Sequence, residues 1–271
     1  VYKRQVEGEV ILSGLDHPHG MLLLDDAVII SEEGKLTRYD SNFENPEVLV
    51  QGIPSGNHQT NAVNLLPNGT LIWHSGSTCN HCNEDDSRNA ALLWVNATTG
   101  EHGILATGVR NSFDGVWVDE IGYLFTDNGQ DAEGNDFPNE EVNLLVDGAD
   151  YGWLVESKSD PNPDGTEAPV ATWTPHTSVN GMTTRPANMP GDNYTVYATV
   201  YGSWATILPA GHQILKIDFT QTDDGWVGDV EIFAEDVGTP LPITGGPDGN
   251  LYYATFDHGG SVHVISPEAN S

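Results

Sequence analysis

The residues best suited to bind a hard cation lie in an acidic loop that follows a predicted β-hairpin. Residues 115–118 and 123–126 are apolar or alternating runs separated by turn residues, which is typical of paired strands. The loop after them is dense in carboxylates and amides, among them Asp127, Asn128, Asp131, Glu133, Asp136, Glu140 and Glu141. Ca²⁺ prefers carboxylate and carbonyl oxygens, so the loop is a candidate calcium site, with a solvated acidic surface loop as the alternative.

A second candidate is His58, which stands between Asn57 and Gln59 just before a predicted strand. A histidine at the entrance of a repeated β-unit faces the centre of the fold, where it could act as a general base. The alternative is an exposed or structural histidine. His17 and His19 occupy the corresponding place in the first unit, so this position does not single out His58.

The pair Arg110 and Asn111 stands out because basic residues are scarce. After residues 1–5, the basic residues are Lys35, Arg38, Arg88, Arg110, Lys158, Arg185 and Lys216. An arginine beside an amide side chain suits an anionic or carbonyl-bearing ligand. The alternative is an ion pair with the surrounding acidic residues.

Cys79 and Cys82 form a C-x-x-C motif within a polar loop. Zinc would need two further ligands, and covalent haem attachment would need a histidine where Asn83 stands. A thioredoxin-like role would need a βαβ setting, which this loop lacks. The motif therefore favours a local disulfide, which indicates an exported protein, extracellular or periplasmic.

The overall composition limits the possible partners. The chain has 40 Asp and Glu against 9 Lys and Arg, with a formal net charge of −31. Too few cations are present to neutralise phosphates, which argues against nucleic acid and anionic membranes as partners. Such acidity fits a halophilic protein, because the Debye length falls to about 3 Å at 1 M salt. No apolar run approaches the roughly 18 residues of a membrane span.

A repeat of turn and strand organises the chain. Segments with a Gly, Asn or Asp turn, an apolar-aromatic strand and a polar exit occur at 67–76, 120–129, 191–202 and 247–259, with a weaker copy at 25–34. A further strand follows each, at 35–40, 91–96, 142–147, 213–218 and 261–266. Five such units predict an all-β propeller over residues 6–271, after a possible non-native leader at 1–5. A two-sheet sandwich is the alternative, and segment 156–176 is predicted to be a surface excursion.

Several motifs occur in a fixed order along the chain: NHQ at 57–59, GSTCNHC with EDD and Arg at 76–88, GVRN at 108–111, TDNG to YGW at 126–153, and YGSW to KID at 201–218. In this order they resemble the soluble quinoprotein glucose and sorbosone dehydrogenases, six-bladed propellers that use pyrroloquinoline quinone (PQQ) and calcium. The sorbosone dehydrogenase-like branch is most similar, because it shares the C-x-x-C loop and the GSW segment. A first blade is expected to be missing, and a five-blade arc would expose an apolar blade face.

The resemblance implies a role for each candidate residue. His58 would take the proton of a sugar hydroxyl while hydride passes to the quinone, and Arg110 and Asn111 would contact the quinone oxygens. Asn57 and Gln59 would belong to the same cofactor site. Calcium would be held by backbone carbonyls near Gly129, Gln130 and Tyr151 and by the carboxylate of Glu141, with Glu140 nearby.

The sequence also departs from this family. Related enzymes often read GSWNR, whereas Ala205 and Thr206 follow Trp204 here, and no arginine precedes the last PDG strand in 238–244. PQQ carries three carboxylates, so fewer cations should weaken its binding. The predicted function is PQQ- and calcium-dependent oxidation of a sugar, polyol or aldehyde. The alternatives are a non-catalytic binding propeller that has lost quinone binding and a metal-dependent lactonase-like propeller.

Overall fold

The computed structural model of the protein describes residues 9–203, 210–256 and 259–267. These residues contain no helix and form five antiparallel sheets, which are the blades of a β-propeller, as predicted. The described part of the chain therefore includes no helix long and apolar enough to cross a membrane. The possible leader at 1–5 and the positions Trp204, Ala205 and Thr206 lie outside the described residues.

Each blade is an antiparallel meander in which consecutive strands pair. Blade 1 consists of β1 (Gly20–Leu23), β2 (Ala27–Glu32), β3 (Lys35–Asp40) and β4 (Glu47–Gln51). Blade 2 consists of β5 (Thr60–Leu65), β6 (Thr70–Ser75), β7 (Ala91–Asn96) and β8 (His102–Thr107). Blade 3 consists of β9 (Gly115–Val118), β10 (Gly122–Asp127), β11 (Glu140–Leu144) and β12 (Ala171–Trp173).

Blades 4 and 5 follow the same plan. Blade 4 consists of β13 (Val179–Thr184), β14 (Thr195–Val200), β15 (Gln213–Thr222) and β16 (Gly225–Ala234). The described strands of blade 5 are β17 (Pro240–Gly245), β18 (Leu251–Thr255) and β19 (Ser261–Ile265). The predicted repeat is thus the second and third strand of every blade, and the predicted hairpin is β9 paired with β10.

The core lies between neighbouring blades, and each inner blade contributes both of its faces. In β6, Leu71 and Trp73 pack in a cluster with Ile29 of blade 1. Ile72, which points to the opposite face of β6, packs with Phe125 of blade 3. Alternate side chains of a strand point to opposite faces, so a strand covered on both faces has a continuous apolar run. This is why the second strands were visible in the sequence.

The two blades at the ends of the arc expose apolar side chains. Met21 and Leu23 of β1 are 61% and 63% exposed, and Val262 and Val264 of β19 are 77% and 53% exposed. Burial of such side chains normally stabilises a sheet, and within the described residues these four lack the cover that the inner blades give each other, although Val28 and Ile30 of blade 1 are buried in a cluster with Leu12 and Leu15. The exposed apolar face predicted for a five-blade arc is confirmed.

The expectation that 156–176 is a surface excursion holds for the middle of the segment, where residues 158–162 are exposed, but it is wrong at both ends. Residues 171–173 form β12, the fourth strand of blade 3, and Ala171 pairs with Val142 of β11. Glu156 at the other end is half-buried beside a small cavity. A three-residue strand among Pro, Gly and Asp residues is too short to show a period in the sequence.

Candidate active site

Segments that lead into the first strands of the blades line two adjoining cavities. The main cavity, of about 630 Å³, is lined by Asn57, His58, Gln59 and Asn111 together with residues of blades 1, 4 and 5. The inner cavity, of about 420 Å³, shares Asn57, His58 and Asn111 and adds Arg110 and the loop after β10. The candidate base and the Arg-Asn pair, which are far apart in the sequence, therefore meet at one site.

His58 is held tightly at the border of the two cavities. Its backbone N–H donates to Ser77 O at 3.1 Å, and its Nδ1 lies 2.8 Å from Ser77 Oγ. A Cβ placed on Gly76 would lie 2.6 Å from His58 Cβ, so the chain needs glycine at 76. Burial and, second, the positive charge of Arg110 lower the pKa of His58 to about 3, so the ring is neutral at physiological pH.

Arg110 is 4% exposed and its guanidinium is surrounded by acceptors. Nε donates to Asn80 O at 3.1 Å, and Nη1 donates to Asn128 O at 3.0 Å. Nη2 donates to Asn80 Oδ1 at 2.8 Å and pairs with Asp131 Oδ2 at 3.2 Å. The ion pair named as the alternative therefore exists, and it holds the guanidinium at the wall of the inner cavity.

The carboxylate of Asp127 fixes the backbone of the Arg-Asn pair. Asp127 Oδ2 accepts the N–H of Arg110 at 2.9 Å, and Oδ1 accepts the N–H of Asn111 at 2.7 Å. Burial raises the pKa of Asp127 to about 7, and these N–H groups oppose the rise. The side chain of Asn111 is fixed in turn, because its Oδ1 accepts Asn61 Nδ2 at 3.1 Å.

Glu140 braces the loop that the sequence assigned to calcium. Its Oε1 accepts the N–H of Ser178 at 2.9 Å, and Oε2 accepts the N–H of Gly129 at 3.2 Å. The side chain is buried, and burial raises its pKa to about 7. Glu140 thus joins the loop after β10 to the entrance of blade 4.

Beside the inner cavity lies a third, very small cavity of about 10 Å³, which we call the acidic cavity. It is lined by Arg110, Asp127, Gly129, Asn139, Glu141, Tyr151, Trp153 and Glu156. Burial raises the pKa of Glu141 to about 8 and that of Glu156 to about 9, and neighbouring carboxylates add to both shifts. In the loop after β10, the buried oxygens Asn128 Oδ1 and Gln130 Oε1 have no hydrogen-bond partner among the described residues. Carboxylate and amide oxygens are the ligand types that a hard cation prefers, although the carboxylates of Asp127, Glu141 and Glu156 do not all lie within 4.8 Å of one another.

Two tighter groups of possible metal ligands lie elsewhere. Within the described residues, two groups of three His, Cys, Asp or Glu side chains have ligand atoms that all lie within 4.8 Å of one another: Cys79, Cys82 and Glu84, and Asp16, His17 and Glu33. The first group contains the Cys79–Cys82 disulfide, which confirms the predicted local bridge. In the second, His17 pairs with both acids at the rim of the main cavity.

Comparisons with solved structures identify the fold. The soluble aldose sugar dehydrogenase of Escherichia coli, in its apo form, is 16% identical with a TM-score of 0.61, covering 96% of this chain and 99% of that one. The PQQ domain of pyranose dehydrogenase from Coprinopsis cinerea, in its holo form, is 16% identical with a TM-score of 0.67, covering 94% of both chains. The chain has the fold of these sugar dehydrogenases. A calcium structure of a Trichoderma reesei enzyme of carbohydrate-active enzyme family AA12 is 15% identical with a TM-score of 0.76, covering 95% of this chain and 83% of that one.

Comparison by sequence does not identify a family for this chain. No family model matches this chain. An uncharacterized protein of Borreliella burgdorferi is 26% identical, over 79% of this chain. The match spans 62% of the length of that relative.

Every predicted site residue except Gln130 lines one of the three cavities. Gln59 faces only the main cavity, and Glu141 and Tyr151 face only the acidic cavity. Gln130 is buried, and its side-chain oxygen has no hydrogen-bond partner among the described residues. Of the other candidates, His19 also lines the main cavity, where its Nδ1 lies 2.6 Å from Asn61 Oδ1.

Sequence reasoning missed three residues that shape the site. Ser77 contacts His58, Asn80 contacts Arg110, and Glu156 faces the acidic cavity. Ser77 and Asn80 belong to the segment around the two cysteines. Nothing in the sequence of that segment predicts which residues their side chains contact. Glu156 is the first residue of segment 156–176, whose composition predicted an exposed surface segment.

Proposed function

We propose that this protein oxidises a sugar, or a related polyol or aldehyde, with PQQ as hydride acceptor and Ca²⁺ as bound metal. The observation that carries the proposal is the meeting of His58, Arg110 and Asn111 at one cavity, beside a pocket of buried carboxylates. The fold is that of sugar dehydrogenases whose structures contain PQQ. The disulfide fits a protein that acts in an oxidising compartment.

In this proposal His58 is the general base. Its pKa is lowered to about 3, so the imidazole is neutral and has a lone pair available for a substrate hydroxyl proton. An anion bound in the cavity raises the pKa of a neighbouring histidine, so ligand binding would strengthen the base where proton transfer occurs. General base catalysis of this kind contributes a factor of about 10²–10⁴ to the rate.

The main and inner cavities offer donors for a ligand rich in carbonyl and carboxylate oxygens. Amide side chains of Asn57, Gln59 and Asn111 line them, and Arg110 contributes a buried positive charge. These are the groups that would hold the quinone, and when bound the quinone supplies a hydride acceptor. Arg110 and Asn111 would then stabilise negative charge that develops on the ligand.

The acidic cavity would hold calcium. Glu141 and Glu156 lie in a confined space without a cationic side chain bonded to either, and carbonyls of Gly129, Gln130 and Tyr151 are nearby in the chain. A divalent cation would keep both carboxylates ionised and would add positive charge close to Arg110. Glu140 would position the loop, because its two oxygens already accept backbone N–H groups.

A second candidate function is a propeller that binds sugars without a quinone. One observation favours it: Arg110 is the only Lys or Arg among the described residues that line the main and inner cavities. Lys216 does not contribute, because its Nζ pairs with Glu231 at 2.8 Å and with Asp218 on strands of blade 4. A ligand with three carboxylates would then depend largely on calcium for charge compensation.

The test is reconstitution with PQQ and Ca²⁺, followed by dye-linked oxidation of a panel of sugars, polyols and aldehydes. We expect saturable quenching of tryptophan fluorescence by PQQ, and dye reduction that requires both PQQ and Ca²⁺. Arg110→Lys should weaken PQQ binding, whereas Arg38→Lys, whose guanidinium pairs with Asp26 on blade 1, should not. Sugar binding without PQQ binding would support the second candidate, and lactone hydrolysis that needs only the metal would support a lactonase.

A further inference from the structure

The hydroxyl of Ser77 determines which nitrogen of His58 carries the proton. Ser77 Oγ donates to Cys79 O at 2.7 Å, and two oxygens this close without a proton between them would repel each other. A serine hydroxyl has a single proton, so Ser77 Oγ can only accept from His58 Nδ1, which lies 2.8 Å away. The neutral ring of His58 is therefore protonated on Nδ1, and Nε2 keeps its lone pair. Nε2 has no hydrogen-bond partner in the described part of the chain.

The next residue of the disulfide loop holds Arg110. Asn80 O accepts Arg110 Nε at 3.1 Å, and Asn80 Oδ1 accepts Arg110 Nη2 at 2.8 Å. The same side chain accepts the N–H of Asp131 at 2.9 Å and donates to Asp131 O at 3.0 Å. Asn80 O also accepts Trp153 Nε1 at 3.2 Å. One asparagine thus fixes two edges of the guanidinium relative to the loop after β10.

The segment that carries these contacts is closed by covalent and hydrogen bonds. The Cys79–Cys82 disulfide closes a short ring around Asn80. Thr78 donates its N–H and its hydroxyl to the carboxylate of Glu84, each at 2.7 Å. The Ser77 N–H donates to Arg110 O at 2.8 Å, so the backbone of this segment also joins the entrances of blades 2 and 3.

We propose that segment 77–82 is a positioning element that acts on both reacting residues. Through Ser77 and the carbonyl of Cys79 it holds His58 in the tautomer whose Nε2 can accept a proton, and through Asn80 it orients Arg110. The disulfide keeps that carbonyl and Asn80 at fixed positions between the two blades. The consequence for turnover rests on the proposed function, whereas the tautomer of His58 does not.

The direct test is ¹⁵N NMR of the protein labelled at histidine, without cofactor, at neutral pH. The His58 signals are assigned by their loss in His58→Gln. We expect Nδ1 to resonate as a protonated nitrogen and Nε2 as an unprotonated one. Ser77→Ala should shift the ring toward the Nε2-protonated form, Ser77→Thr should restore the wild-type signals, and Ser87→Ala, at an exposed site, should change nothing. A wild-type His58 protonated on Nε2 would overturn the proposal.

Two further variants test the loop itself. Asn80→Ala should leave the His58 tautomer unchanged and weaken PQQ binding at least about tenfold, because Arg110 Nη2 loses the side-chain acceptor Asn80 Oδ1, whereas the backbone carbonyl of residue 80 remains. The double variant Cys79→Ser, Cys82→Ser should reduce both the Nδ1-protonated signal and PQQ binding. If this variant retains wild-type tautomer and binding, the disulfide has no positioning role. If the double variant does not fold, Ser77→Ala still tests the control of the His58 tautomer, and Asn80→Ala still tests the orientation of Arg110.

Kinetics then separate the positioning role from the proposed reaction. In the reconstituted protein, Ser77→Ala should lower kcat about 100-fold with little change in KM, and Ser77→Thr should recover most of it. An unchanged kcat in a variant whose tautomer has shifted would refute the positioning role. Absence of turnover in the wild type would instead refute the proposed function, and the NMR result on His58 would stand.

Discussion

Replacing Glu141 with glutamine is expected to have opposite effects on stability with and without calcium. Burial raises the pKa of Glu141 from its ordinary 4.5 to about 8. In the metal-free protein at pH 7, the folded state must therefore keep a proton that the unfolded chain has released. Each pKa unit corresponds to about 1.4 kcal/mol, so this group costs the folded state about 3 kcal/mol at pH 7.

The sign of the pH dependence follows from the raised pKa. The contribution of Glu141 is most favourable below pH 4.5 and is lost as the pH rises through about 8. Glutamine does not titrate, so Glu141→Gln should be more stable than wild type at pH 7 in EDTA, by up to about 3 kcal/mol. At a calcium concentration of about 1,000 times the dissociation constant the order should reverse, because wild type gains about 4.1 kcal/mol, which exceeds this difference, and the variant lacks the ligand.

The measurement is urea unfolding of both proteins at pH 5, 7 and 8, in EDTA and in excess Ca²⁺. Glu101→Gln, which removes an exposed carboxylate between β7 and β8, is the matched control and should follow wild type throughout. Equal stabilisation of wild type and Glu141→Gln by calcium would refute the assignment of this carboxylate to the metal. A variant less stable than wild type in EDTA at pH 8 would refute the linkage argument.

Three other substitutions, the last with a matched control, test the packing of the fold and the geometry around the site. Tyr123→Phe should lower the unfolding free energy by about 1–3 kcal/mol, measured by urea unfolding, because the buried hydroxyl bonds a buried histidine and an asparagine at 2.7 Å each. Gly76→Ala should cost about 1–3 kcal/mol and reduce turnover, because the added Cβ would meet the candidate base at 2.6 Å; unchanged kinetics would contradict the geometry. Leu251→Ala should cost about 2–5 kcal/mol, whereas Val262→Ala on the exposed face of the same blade should change thermal stability by less than about 0.5 kcal/mol.

Much of the fold could be predicted because propeller blades leave a strong local signal. The second strand of each inner blade is covered on both faces, so it appears in the sequence as an apolar run after a turn, as in β14 (Thr195–Val200). Strands with one exposed face, such as β16 (Gly225–Ala234), and short ones, such as β12 (Ala171–Trp173), lack that run. The repeat therefore revealed the number of blades but not all of their strands.

The site was partly predictable for a different reason. Arg110 could be singled out because basic residues are scarce in this chain, whereas the role of His58 came from the family resemblance, since other histidines of the chain occupy comparable positions. The supporting residues could not be singled out, because their roles depend on contacts between distant segments. Glu156 is an example: nothing in its local sequence shows that the fold turns its carboxylate toward the acidic cavity. Asn80 is another, since its partner Arg110 lies on the next blade.

The central claim is that this protein transfers hydride from a sugar to a bound quinone with His58 as the base. The most direct measurement is anaerobic single-turnover reduction of PQQ in the calcium-loaded protein, with glucose and with glucose deuterated at C1. We predict quinone reduction that is slower with the deuterated sugar. We also predict that it falls about 10²–10⁴-fold in His58→Gln, with PQQ affinity retained, while the control His102→Gln on β8 behaves as wild type. Tight PQQ binding without reduction by any sugar, or equal rates in wild type and His58→Gln, would contradict the account.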